Sequence, residues 1–320
     1  MSSYLLARSF HDLSKNDTPI AGGKGVSLGE LINVGIPVPP GFAVLAEAFE
    51  KFLDETDVRQ EVNAELARAD REKIHTIEHA SERIRGMIER AKIPESIAES
   101  IREEFSKLGA EYVAVRSSAT AEDSHSAAWA GQLDSFLNTT EEILLVTIQK
   151  CWASLFTPRA IFYRMEQGLQ ESHVSVAVVV QKMIQSESSG IAFSVHPVTE
   201  DPNQLIIEAG RGLGEAIVSG SITPDSYVVK KDSRTILDRN IVEQTRGIFR
   251  KEGGGNEWRD ISPEEGRKQV LSDEQILELS DIVIRIENHY GFPCDIEWAR
   301  EGGAFSIVQS RPITTLRTNI

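Results

Sequence analysis

Between residues 294 and 311 the chain carries a pattern compatible with few structures. Cys294, Ile296 and Trp298 alternate with Asp295 and Glu297, so a strand here puts both carboxylates on one face. A second strand, Phe305 to Ser310, follows through Gly302-Gly303, and on it Gln309 and Arg311 again share a face. A slip of one residue in the pairing would turn every side chain over. With a connection of Gly302, Gly303 and Ala304, Glu297 opposes Gln309 and Asp295 opposes Arg311; with a Gly-Gly turn alone, Glu297 and Gln309 fall on opposite faces. The first register is expected. It gathers hard oxygen donors suited to Mg²⁺ beside a guanidinium suited to phosphate oxygens, and the bland alternative is a solvent-facing salt bridge on an edge hairpin.

At 320 residues the chain can form two units with their own cores or one large domain with a cleft, and two lobes are expected. A composition of 40% hydrophobic and 26% charged residues is ordinary for a soluble globular protein and nominates neither a fibre, a disordered tail nor a membrane protein. The formal charge of −15 argues against extended contact with nucleic acid, so any phosphate site must be local. The longest apolar stretch, near Val174 to Val180, is far short of the ~20 residues a membrane span needs. The opening MSSYLLARSFHD lacks the elements of a secretory signal, which points to the cytoplasm. Cys151 and Cys294 have no metal-knuckle or disulfide spacing and read as buried, inert thiols.

The run Pro37-Val38-Pro39-Pro40-Gly41 cannot be helical and reads as extended chain. Residues 46–108 turn helical and charged, with Ile74, Ile77, Ile84, Met87, Ile88 and Ala91 forming an apolar stripe. Glu111 to Ser117 reads as a strand entering a polar loop, Glu141 to Leu155 as helix, and Val174 to Gln181 as a fully buried strand. Short strands follow at Ile191 to Ser194, Gln204 to Ala209 and Tyr227 to Lys231. Asp273 to Tyr290 is predicted to be a helix capped by Ser272, and Lys251 to Gly255 is the most linker-like loop.

Three further motifs bear on phosphate chemistry. Gly22-Gly23-Lys24-Gly25 precedes a helical pattern, so its N–H groups and lysine could cradle phosphate oxygens; it departs from the P-loop spacing, and alone it reads first as a glycine turn. Arg116-Ser117-Ser118-Ala119-Thr120 sets an arginine fork and three hydroxyls where a strand ends, and the bland reading is a surface arginine with capping serines. Gly131-Gln132, after several alanines, permits close backbone approach to a ligand. The glycines of Gly210-Arg211-Gly212-Leu213-Gly214-Glu215 do not make a dinucleotide fingerprint, and they read as a turn or as a loop closing over phosphates. His196, alone before Pro197, reads as structural.

Taken together, GGKGVSLGEL, VPPGFAV, AVRSSATAED, SGIAFSVHPVT, GLGEAIVSGSITPDSYVV, DIEWA and QSRPIT resemble the nucleotide-binding domain of phosphoenolpyruvate synthase, pyruvate phosphate dikinase and rifampin phosphotransferase, from about Ala21 to Thr314. The resemblance implies an α/β fold of the α+β kind, the ATP-grasp, with ATP held between two lobes taken here as residues 1–180, with a helical insert at about 46–108, and 181–320. It implies that Lys24, Arg116 and Arg311 act on the phosphates and that Glu297 and Gln309 hold Mg²⁺, or Mn²⁺, with Asp295 in support. It further implies nucleotide contacts at Ser117, Thr120, Gly131 and Gln132, an adenine hinge at Gln181, Lys182, Met183 and Ile184, and a ribose contact at Glu187. His196 departs from the acid or amide more usual in that segment.

Full-length relatives of this kind continue into a domain with a phosphate-carrying histidine and then an acceptor domain, and no histidine of this chain has that setting. The resemblance therefore implies a phosphotransferase that cleaves ATP to AMP and hands phosphate to a histidine on a separate subunit, as in enzymes that phosphorylate phenol or cresol. The competing class is a non-catalytic ATP sensor or assembly module; an ATP-dependent carboxylate ligase sharing the fold fits these motifs less well.

Overall fold

A computed structural model describes residues 6–119, 134–168, 175–314 and 316. They form two compact units, Met1–Glu30 with Pro40–Met183, and Leu31–Pro39 with Ile184–Ile320. The division thus falls after Met183 rather than after residue 180, and residues 31–39 belong with the later part of the chain. Every strand pairing among the described residues is antiparallel, which makes the arrangement α+β. Among the described residues no helix is long and apolar enough to cross a membrane.

The first unit is built on a five-stranded sheet in the spatial order Ala7–Ser9, Gly41–Val44, Val176–Lys182, Val113–Ala119, Ser135–Thr139. Val176 to Gln181 is buried on both faces, as its unbroken β-branched sequence predicts. One face carries the core: Val44, Val113, Val115, Val176, Val178 and Val180 cluster with side chains from the helices of residues 46–108 and from Glu141–Ser154. Phe49 and Phe52 flank Trp152 with ring centroids 5.6 and 5.0 Å away. Of the predicted stripe, Ile77, Ile84 and Ile88 are buried and Met87 and Ala91 pack partly buried against the same cluster, whereas Ile74, first residue of the helix Ile74–Arg90, is 64% exposed.

The opposite face is covered at close range by the helix Thr18–Asn33, whose backbone breaks at Gly22 (φ 68°, ψ 165°). A Cβ on Gly25 would lie 3.5 Å from the Ala43 Cβ, and one on Gly29 would meet the Phe10 carbonyl oxygen at 2.5 Å. The glycines are therefore spaced to let this helix lie low on the sheet. Cys151 and Cys294 are both buried, and burial pushes each thiol up to about 12. Both should react with a thiol reagent at pH 8 at least ~10³-fold more slowly in the native protein than after denaturation. Fast labelling of native protein would contradict that placement.

The second unit is a six-stranded sheet in the order Ala304–Pro312, Cys294–Glu301, Ser188–Phe193, Gln204–Arg211, Asp225–Lys230, Thr235–Asn240. The helix Asp273–Tyr290 has the predicted limits, because Ser272 and Gln275 form a reciprocal capping box and Gly291 closes it in the left-handed conformation. Its Ile276, Leu279, Val283 and Ile286 cluster with Leu205, Ile207, Ile296, Trp298 and Ile307 on one face of the sheet. Asp225, fully buried, ties this layer together: its Oδ1 accepts from Val242 N at 3.0 Å, and its Oδ2 from Val270 N at 2.9 Å and the Tyr227 hydroxyl at 2.8 Å. Lys251 to Gly255 is no linker but the tip of a hairpin joining Arg246–Arg250 to Asn256–Asp260.

Candidate functional site

In the second unit, Cys294–Glu301 and Ala304–Pro312 meet through Gly302 and Gly303 alone, both at positive φ (57° and 87°), with Glu301 opposite Ala304. This corrects the expected longer connection. A regular ladder from such a turn would put Gln309 and Arg311 on the apolar face. Instead a β-bulge follows Trp298↔Ile307, with Val308 as the extra residue, and the next pairs are Glu297↔Gln309 and Asp295↔Arg311. The expected register holds, for a reason other than the one foreseen.

The four side chains thus share one face, opposite the face occupied by Cys294, Ile296 and Trp298. Arg311 donates from Nε to Asp295 Oδ2 at 2.8 Å and pairs with it through Nη2 at 2.7 Å. Burial raises the Asp295 carboxyl above the usual range, and Arg311 opposes that shift while the charge of Glu297 adds to it. Among the described residues no group of three or more His, Cys, Asp or Glu is gathered to hold a metal ion by itself. An acid opposite an amide suits an ion that takes its remaining oxygens from phosphate and water.

Sequence reasoning missed a third acid. Glu297 pairs with Ile191, and Ile191 in turn with Glu208, so Glu208 lies in the same row of the same face. It is half-buried, and its carboxyl is raised first by that burial and then by the charge of Asp295. Its alternation with Leu205, Ile207 and Ala209 was readable; the strand order that brings it beside the hairpin was not.

In the first unit, Gly22 sits against Ser118: a Cβ there would collide with the Ser118 hydroxyl and lie 2.7 Å from its carbonyl oxygen. Lys24 and Arg116 are each two residues from this contact. Ser117 does not join them. The strand runs to Ala119, two residues beyond its expected end, so Ser117 points into the core, where its Oγ contacts the carbonyl oxygens of Asp134 and Cys151, each at 3.2 Å, and Ser154 Oγ at 3.1 Å. Its side chain is a structural tie rather than a nucleotide contact. Thr120, Gly131 and Gln132 lie outside the described residues.

Gln181 is buried at the end of its strand, Lys182 N donates to Pro40 O at 2.9 Å, and Met183 N donates to Tyr112 O at 3.0 Å. Ile184 begins the longer segment of the second unit. Glu187 accepts from Gly302 N and from Arg300 Nη1, each at 3.2 Å. The glycine-rich loop is hydrogen-bonded within its own unit: Arg211 N donates to Gln244, Ser189 Oγ to Gly212 O, and Leu213 N to Ile248 O. His196 is structural as expected, its Nδ1 accepting from Val198 N and Thr199 N at 3.2 Å.

Residues 18–319 match the pyruvate phosphate dikinase AMP/ATP-binding domain family. The chain belongs to that family. It is 47% identical over 312 residues to a probable phosphoenolpyruvate synthase of Archaeoglobus fulgidus, which covers 96% of this chain and 41% of the relative. Against the probable phosphoenolpyruvate synthase of Methanocaldococcus jannaschii the identity is 45% over 313 residues, covering 96% of this chain and 26% of the relative. With the rifampicin phosphotransferase of Bacillus subtilis it is 41% over 319 residues, covering 99% and 36%. The chain thus spans between a quarter and under half of the length of these relatives, matching the portion that the family defines by AMP and ATP binding.

Proposed function

We propose that this chain is the ATP-binding part of a phosphotransferase, which takes up ATP with Mg²⁺, cleaves it to AMP, and passes a phosphoryl group to a histidine on a separate subunit. The observation that carries the reading is the pairing of Glu297 with Gln309 beside Asp295 with Arg311 on one polar face, in a member of an AMP/ATP-binding family. Glu297 and Gln309 offer the hard oxygens that Mg²⁺ prefers, and a bound ion would neutralise charge on the phosphates.

Arg311, steered by Asp295, presents a guanidinium whose donors match phosphate oxygens. Lys24 and Arg116 take further phosphate oxygens in this scheme, residues 181–184 the adenine and Glu187 the ribose. Phosphoryl transfer needs little covalent help from the protein beyond holding the chain of phosphates and compensating charge. The final acceptor is a pyruvate-like acid or an aromatic or alcohol hydroxyl, brought by the partner.

Calorimetric titration of ATP with Mg²⁺ into the chain, and into Glu297→Ala and Arg311→Ala, tests the binding. Mixing with candidate partners and labelled ATP tests the transfer, and the expected product is an acid-labile phosphohistidine on the partner together with AMP. Binding without turnover, whichever partner is supplied, would instead favour a sensor.

A further inference from the structure

We infer that the contact between Gly22 and Ser118 is the device that fixes Lys24 relative to Arg116, which makes Gly22 and Ser118 positioning residues for phosphate binding. This rests on the reading of Lys24 as a phosphate contact. Three observations carry it.

First, Gly22 adopts φ 68° and ψ 165°, a conformation essentially restricted to glycine, in the middle of an otherwise helical segment. The break therefore sets the direction in which Gly23, Lys24 and Gly25 leave. Secondly, the space that a side chain at position 22 would need is filled by Ser118, from both its hydroxyl and its carbonyl oxygen, 2.7 Å from an ideal Cβ. A carbonyl in a paired strand cannot swing away as a flexible side-chain end could, since Ser118 is paired with Ala177. Thirdly, the Ser118 hydroxyl is wholly buried and makes no hydrogen bond among the described residues. Its contribution at that spot is therefore shape: it meets the bare Cα of Gly22.

Arg116 and Ser118 lie two apart on one strand and so share its face, the face on which the helix lies. Lys24 follows Gly22 by two residues. One steric contact thus indexes the lysine-bearing turn to the arginine-bearing strand, and Gly25 against Ala43 and Gly29 against Phe10 hold the rest of the helix in line.

The test is a double-mutant cycle on ATP affinity in the presence of Mg²⁺, measured by calorimetry on Gly22→Ala, Lys24→Ala and the double variant, with thermal unfolding followed in parallel. Lys24→Ala is expected to weaken ATP binding roughly 10- to 100-fold, as loss of a charge-assisted contact does. Gly22→Ala should weaken it by a comparable factor, and should cost less than about twofold more once Lys24 is gone. A merely structural glycine would lower affinity by the same factor with or without the lysine, and that result overturns the inference, as does wild-type affinity in Gly22→Ala.

Should Gly22→Ala not fold, Ser118→Val crowds the same contact without forcing the backbone of residue 22, and the same coupling to Lys24 is required of it. If Lys24→Ala itself binds ATP as the wild type does, the phosphate role of the lysine fails, a result distinct from failure of the coupling.

Discussion

Replacing Glu297 with alanine is expected to lower phosphoryl transfer from ATP by about 10³-fold or more and to abolish its response to Mg²⁺. The carboxylate is the one charged donor in the Glu297–Gln309 pair, so its loss leaves an amide alone to hold a hydrated dication. The same change should leave folding within about 0.5 kcal/mol, because the side chain sits on the polar face and its removal relieves repulsion on Asp295. Glu297→Gln separates shape from charge, and it should be nearly as impaired. Transfer measured with the partner subunit across an Mg²⁺ titration decides it; an unaltered Mg²⁺ requirement in either variant would remove Glu297 from the metal.

Asp225→Ala carries the largest stability effect expected in the second unit. The carboxylate answers two part-buried backbone N–H groups, at Val242 and Val270, and the Tyr227 hydroxyl, which itself accepts from Leu271 N at 3.3 Å. Removing it leaves both amides without their partner, at roughly 1–3 kcal/mol each, beside a cavity where the buried carboxylate stood. A loss of about 3–5 kcal/mol should appear as a lower urea midpoint. Asparagine is no substitute, because either orientation of its amide points N–H groups at a donor. A midpoint within experimental error of the wild type would mean that water replaces the carboxylate at this site.

Local chemistry was legible and long-range order was not. The helix Asp273–Tyr290 could be read to the residue because its signal, Ser272 with Gln275 and Gly291, lies within the segment itself. Val176–Lys182 announced its burial through composition alone. Thr235–Asn240 and Asn256–Asp260 escaped notice because they expose most of their residues, and Arg246–Arg250 because its buried Gly247 and Ile248 are adjacent, so none of the three shows an alternation.

Ser117 shares the face of Val113 and Val115, so the pleat turns its hydroxyl inward, and the strand continues past it to Ala119. Glu208 joins Glu297 only through the sheet order, which pairs strands distant in sequence. The facing of Glu297 and Gln309 followed from sequence only if a loop was assumed that the chain does not use.

Val308 divides its strand into two halves of opposite allegiance: Phe305 and Ile307 build the apolar interior, while Gln309, itself buried, and the exposed Arg311 lie on the opposite, polar face. Excising Val308 would fuse them into an unbroken ladder in which glutamine still meets glutamate and arginine still meets aspartate, so ATP affinity should stay within about tenfold of the parent, with only the local coiling of the hairpin relaxed.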